Sequence, residues 1–112
     1  MSISVDRIES NAVLEYEQQK VEQQMVLLKR AKKEIPEELQ LRLNQVQMKM
    51  QILIIKIQKE ILTMESYSEL LQQKIKDDKE LALKLKRAGN VEAAKEVLKR
   101  VNLMEKELAN DE

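Results

Sequence analysis

This sequence predicts an all-α fold, an antiparallel helical bundle or coiled coil of three to four helices. Three observations predict it. The first is composition: 112 residues contain one Gly, one Pro and two aromatic residues, Tyr16 and Tyr67. Sheet proteins need turn residues and favour aromatic side chains, whereas Ala, Leu, Glu, Lys, Gln and Met dominate here and are strong helix formers. The second is the uninterrupted apolar periodicity of the stretch from Leu39 to Met64. The third is punctuation: the single proline and the single glycine each separate two strongly helical patterns.

The middle stretch organises the chain. One apolar stripe is Leu39, Leu43, Val46, Met50, Leu53, Ile57 and Met64, with Glu60 in its one gap. A second is Leu41, Met48, Ile52, Ile55 and Leu62. The second is offset by two residues, roughly 200° around an α-helix. A surface helix needs one apolar face, so a helix with two is expected to be covered from two directions. The central helix from Pro36 is therefore expected to be buried on two faces, by the first helix on one side. The other cover would be the C-terminal hairpin, a second copy of the chain, or a foreign protein. The window Gln51 to Ile57 would read as a strand in isolation, but its helical flanks decide for helix, and it is expected to be buried.

The elements follow in order. The first helix is expected over about 4–33, with Ser4 as N-cap and Asp6 in its first turn. Its stripe is Leu14, Val21, Met25, Leu28 and Ile35, with Gln18 and Lys32 at intervening seam positions. Pro36 disfavours helical geometry at Ile35 and suits the first residue of a new helix, and Glu37 and Glu38 follow where the helix dipole favours anions. A sharp turn is placed at Lys33 to Ile35, making neighbouring helices antiparallel. The second helix spans about 36–65. Ser66-x-x-Glu69 matches a capping box, which favours a break there and a third helix over 68–88. One continuous helix of about 50 residues is the alternative, since neither Gly nor Pro intervenes. Leu71, Ile75, Ala82 and Leu85 lie inside the third helix, and Gly89 ends it after Lys84, Lys86 and Arg87. Asn90 caps a last helix over 90–109, with Glu92 in its first turn and Ala94, Val97, Leu98, Val101, Met104 and Leu108 on one side. Residues 1–112 read as one helical domain.

Composition also bounds function. Twenty basic and twenty acidic residues give no net charge, hence no bulk electrostatic drive toward nucleic acid or anionic membrane. Without Cys there is neither a disulfide framework nor thiolate chemistry, which suits a reducing compartment. No apolar window is long enough to span a bilayer. The start, MSISVDRIES, lacks the pattern of a secretory signal. A cytoplasmic location is expected, and the chain could be a piece of a longer protein.

Chemistry-bearing patterns are sparse. There is no His, and no Ser, Thr or Tyr stands near a recognisable base, so neither an enzyme nor a small-molecule substrate is expected. A di-metal bundle needs a Glu-x-x-His pair, which is absent, so neither a metal nor another cofactor is expected. Asp77 and Asp78 diverge around a helix and read as a solvated face. Lys29, Arg30, Lys32 and Lys33 form a candidate lipid or nucleic-acid patch, but dipole capping and solubility explain them more simply. No aromatic stands beside them to stack a base. Met25, Met48, Met50, Met64 and Met104 mostly fall on core stripes and read as packing rather than as an adaptable groove.

The stretch Asp78 to Leu108 carries one family resemblance. Ala82 and Leu83, the basic Lys86, Gly89-Asn90 at a turn, the small Ala93 and Ala94, and Leu98-Lys99 as a hydrophobic-basic pair are its residues. Together they resemble the helical-hairpin repeat of the coiled-coil and C2 domain family, the Lethal giant discs type. Asp78, Leu85 and Asn102 depart from its pattern, and it covers about 30 residues. The resemblance implies an adaptor that binds an ESCRT-III subunit in endosomal sorting, in association with the endosomal membrane. It implies a basic helix face for an acidic partner, carried here by Lys84, Lys86, Arg87 and Lys99.

The functional expectation is thus a non-catalytic helical scaffold or adaptor that binds other proteins through helix faces. An oligomeric structural coiled coil, such as a tether or cytoskeletal spacer, is the first alternative. A lipid or nucleic-acid binder using Lys29 to Lys33 is the second, with the membrane touched only peripherally.

Overall fold

The computed structural model describes residues 9–110, and among them every regular element is helical. Four helices follow one another: α1 (Asn11–Arg30), α2 (Glu37–Gln58), α3 (Met64–Arg87) and α4 (Val91–Asn110). The chain forms two compact units, divided between Ile61 and Leu62. In the first, α1 packs on α2; in the second, α3 packs on α4. Each pair has its own apolar core.

In the first unit, α1 starts at Ser10, whose Oγ accepts a hydrogen bond from the Val13 N–H at 3.3 Å. Ser10 is fully buried, which makes a satisfied hydroxyl mandatory. The expected start at Ser4 and Asp6 lies outside the described residues. Val13, Leu14, Val21 and Met25 are buried along α1. The helix stops at Arg30 rather than Lys33, because Lys32 takes a left-handed conformation at φ 56°. The Lys33 N–H then bonds the Leu28 carbonyl at 2.9 Å and the Lys32 N–H bonds that of Lys29 at 3.0 Å. That is a Schellman termination, built here on a residue with a Cβ.

Pro36 precedes α2 at φ −58° and ψ 141°, as its N-cap rather than its first helical residue. Its carbonyl accepts from Leu39 at 3.1 Å and Gln40 at 3.4 Å. Glu37 and Glu38 occupy the first turn as expected. Val46 and Leu53 are buried, and Leu39, Leu43, Met50 and Ile57 half-buried, so the first stripe is the face that packs. The second stripe does not meet its expectation. Leu41 is 57% exposed, Met48 53% and Ile55 46%, while Ile52 is half-buried and Leu62 buried. Within the first unit, α2 is therefore covered on one side, because α1 is a single helix and reaches only one face. The Gln51 to Ile57 window is helical, but Ile54 and Ile55 in it are exposed.

The second helix ends at Gln58, well before residue 65, and does not run on into α3. Glu60 is left-handed at φ 58°, and its N–H bonds the Ile57 carbonyl at 3.1 Å. Thr63 then caps α3, its Oγ1 accepting from the Ser66 N–H at 3.0 Å. The break thus falls just ahead of Ser66. Ser66 lies inside the first turn of α3 and does not cap it, since Thr63 already holds that role.

Along α3, Tyr67, Leu71, Ile75 and Ala82 are buried and Leu85 half-buried. Its end is built around Gly89 at φ 83°, where the Asn90 N–H bonds the Leu85 carbonyl at 2.8 Å. Asn90 Oδ1 accepts from the Ala93 N–H at 3.4 Å and so caps α4, as the sequence predicts. Ala94, Val101 and Met104 are buried on α4, with Val97 and Leu108 half-buried. Leu98, expected on the same side, is 49% exposed. It lies about 100° from Val97 around the helix, which carries it off the seam.

Candidate interaction surfaces

Of the basic residues that the sequence singles out, all but Lys99 sit at a helix end. Lys84, Lys86 and Arg87 fill the last turn of α3 and are exposed. Lys84 and Arg87 share a face, three residues apart, while Lys86 projects from another. Lys99 is exposed on α4, nine residues beyond Asn90, roughly 13 Å along the helix axis. The three α3 cations therefore crowd one helix turn, and Lys99 lies part-way along α4. In the first unit, Lys29 and Arg30 end α1, and Lys32 and Lys33 form its Schellman turn, all exposed. Cations there meet the negative end of the helix dipole. The ring of Tyr16 faces Lys20, whose Nζ is 5.1 Å from its centroid.

Polar contacts join the helices within each unit. Lys49 on α2 pairs with Glu9 just ahead of α1 at 3.1 Å, both side chains largely covered. Lys79 on α3 pairs with Glu105 on α4 at 3.4 Å in a solvent-exposed contact. Asp78 continues the apolar row of α3, between Ile75 and Ala82, and is half-buried rather than part of a solvated face. Burial pushes its carboxyl above the ordinary value, against the pull of Lys74 and Arg100 and with a smaller push from Asp77. Asp77 is exposed. The two ion pairs link the helices within each unit. None of these contacts presents a nucleophile beside a base, and among the described residues no group of three or more His, Cys, Asp or Glu residues could hold a metal.

A further feature is apolar. On α2, Leu41, Met48 and Ile55 recur every seven residues on the side away from the α1-facing row, and all are exposed. Met48 and Met64, expected on core stripes, are both more than half exposed, while Met25 and Met104 are buried and Met50 half-buried. A shallow groove beside the stripe is lined by Gln18 of α1 and by Asn44, Gln47, Met48, Gln51 and Ile54 of α2.

No protein-family model, no curated protein and no solved structure matches this chain. Function must therefore be read from the surfaces themselves. Among the described residues, no helix is long and apolar enough to cross a membrane. What remains is a pair of helical units carrying an apolar seam in one and a basic helix end in each. The sequence signals the seam fully, through the second stripe; whether the chain itself covers it is not encoded in periodicity.

Proposed function

We propose that this chain is a non-catalytic helical scaffold or adaptor module that binds other proteins through its helix faces. One observation carries the reading: the exposed row Leu41, Met48 and Ile55 on a helix whose opposite face already packs on α1. Large apolar side chains recurring along one helix face are more favourably placed against a partner than in water, by about 25 cal/mol per Å² removed from solvent. Within each unit the two helices run antiparallel in a coiled-coil-like manner. The pairing of Glu9 with Lys49, and of Tyr67 near the start of α3 with Glu107 near the end of α4, supports that arrangement.

The test is a comparison of two baits. The intact chain and its Leu41→Gln/Met48→Gln/Ile55→Gln variant are used for quantitative affinity capture, with helicity checked by circular dichroism. Proteins recovered by the first and lost from the second support the reading. An identical set on both overturns it. Sedimentation of the same two proteins decides the structural-oligomer alternative: a concentration-dependent oligomer that the triple variant abolishes, with no foreign protein captured, replaces the adaptor.

A sharper form of the reading is an adaptor in endosomal sorting. It rests on the resemblance at residues 78–108 and on the exposure of Lys84, Lys86, Arg87 and Lys99. Direct binding of a recombinant ESCRT-III subunit, lost on neutralising these four residues with Gln, is its test. Unchanged binding, or none to begin with, removes it. The cations at Lys29, Arg30, Lys32 and Lys33 are better explained by the end of α1 that they surround.

A further inference from the structure

The chemistry of the row's two margins is uneven, and it points to a kind of partner. From Leu39 to Lys59, α2 and the residue closing it contain no Asp and no Glu. The other three helices all mix both signs. Arg42, Lys49 and Lys56 recur every seven residues, each directly following a member of the row Leu41, Met48 and Ile55. On a helical wheel they lie between that row and the face packed on α1. The other margin, Asn44, Gln51 and Gln58, repeats with the same period and holds amides alone. In coiled-coil terms, an apolar seam is flanked by cations on one side and by neutral amides on the other.

We infer that this face of α2 docks an amphipathic helix whose flank is acidic, with that helix's apolar row on Leu41, Met48 and Ile55 and its carboxylates beside Arg42 and Lys56. This deepens the protein-binding reading and rests on it. The chain itself provides a precedent for the charge pairing: the Glu9 carboxylate lies 3.1 Å from Lys49 on this same margin. Arg42 is exposed and Lys56 half-buried. The 22 residues of α2 span roughly 33 Å, enough to seat about three heptads.

Other occupants fit less well. Two copies aligned in parallel would set amides against cations, and antiparallel copies would set cations against cations; neither pairs opposite charges. An anionic bilayer would meet cations on one margin only, and would have to desolvate Asn44, Gln45 and Gln51 without offering them regular partners.

The test selects from a displayed library of four-heptad helices with a fixed Leu/Ile seam and randomised flanks, using the intact chain as bait. Enrichment of Asp and Glu on the flanks is the expected result. The selected peptides should bind the Arg42→Glu/Lys56→Glu variant roughly tenfold more weakly or worse, and weaken as salt is raised. The milder Arg42→Gln/Lys56→Gln variant, with helicity confirmed, should fall between the two. Neutral or basic flanks in the enriched set, or no enrichment, overturn the inference. So does binding that survives Met48→Gln/Ile55→Gln, self-association that competes with the peptides, or vesicles containing phosphatidylserine binding where peptides do not. If the library fails while the affinity-capture comparison still loses proteins with the row, the protein-binding reading stands and only the acidic helix falls.

Discussion

The phenolic hydroxyl of Tyr67, near the start of α3, donates a hydrogen bond to the carboxylate of Glu107, near the end of α4. The ring of Tyr67 is buried beneath it, so one side chain both fills the core and ties the two helices together at their outer end. Hydrogen bonds to a charged acceptor contribute about 1.5–3 kcal/mol. Tyr67→Phe keeps the ring and loses the bond, and a loss of about 1.5 kcal/mol is expected in urea unfolding. Tyr67→Ala also empties the core and should lose about 3–5 kcal/mol. If Tyr67→Phe changes nothing, or if its effect is unaltered in a Glu107→Ala background, the bond contributes no stability.

Asp78 has the opposite character, a carboxylate placed where the core would prefer an apolar side chain. Its folded-state pKa lies above the ordinary 3.8, mainly through burial. A carboxyl raised on folding penalises the folded state at high pH, where the group must be charged. That penalty disappears as pH falls through the folded value, because the folded state takes up the proton first. Lys74 and Asp77 on α3 and Arg100 on α4 are the charges that act on it. Asp78→Asn is therefore expected to be more stable than the parent at neutral pH, with the gain shrinking through the folded pKa and gone below 3.8. Urea midpoints across that range measure it. A variant less stable at neutral pH would show that attraction to Lys74 and Arg100 outweighs burial.

Helix endings carry a third prediction. Lys32 and Glu60 adopt the left-handed conformation at φ 56° and 58°, where Gly89 stands in the equivalent place at φ 83°. A side chain in that region costs about 1–2 kcal/mol, part of which glycine's greater freedom in the unfolded chain offsets. Lys32→Gly and Glu60→Gly should each raise stability by about 0.5–1 kcal/mol. Gly89→Ala should lower it by about 1 kcal/mol, through backbone strain alone, since a Cβ there meets nothing within 4 Å. Thermal melts of the three variants are sufficient, and a destabilising Glu60→Gly would contradict the account.

These endings also explain what could be read from the sequence and what could not. Helical content, the Gly89 termination, the Asn90 cap and the packing row of α2 follow from periodicity and from residues with strong positional preferences. Lys32 and Glu60 have no such preference; their conformation is imposed by the Schellman bonds and turns around them. The caps show the same limit. Thr63 and Ser66 are both acceptable caps by type, three residues apart, and choosing the first shifts the start of α3 by one turn. For the surfaces, the two rows of α2 were equally legible. Which one packs depends on how many helices share its unit, a property of the whole chain that no local pattern carries.

That asymmetry gives the last prediction, which compares opposite sides of one helix. Val46 and Leu53 are each 4% exposed on the side facing α1, whereas Leu41 is 57% exposed and Met48 53% exposed on the other. Leu53→Ala removes buried methyl groups and leaves a cavity, so about 2–4 kcal/mol should be lost. Leu41→Gln and Met48→Gln place amides in water at sites the chain does not cover, so each should alter stability by less than about 0.5 kcal/mol in dilute solution. The same two substitutions should weaken capture of any partner seated on the row, because there the amide would replace an apolar contact. A large stability loss from Leu41→Gln in a dilute monomer would mean that this face is covered in solution by the chain's own residues, and no partner would then be needed to bury it.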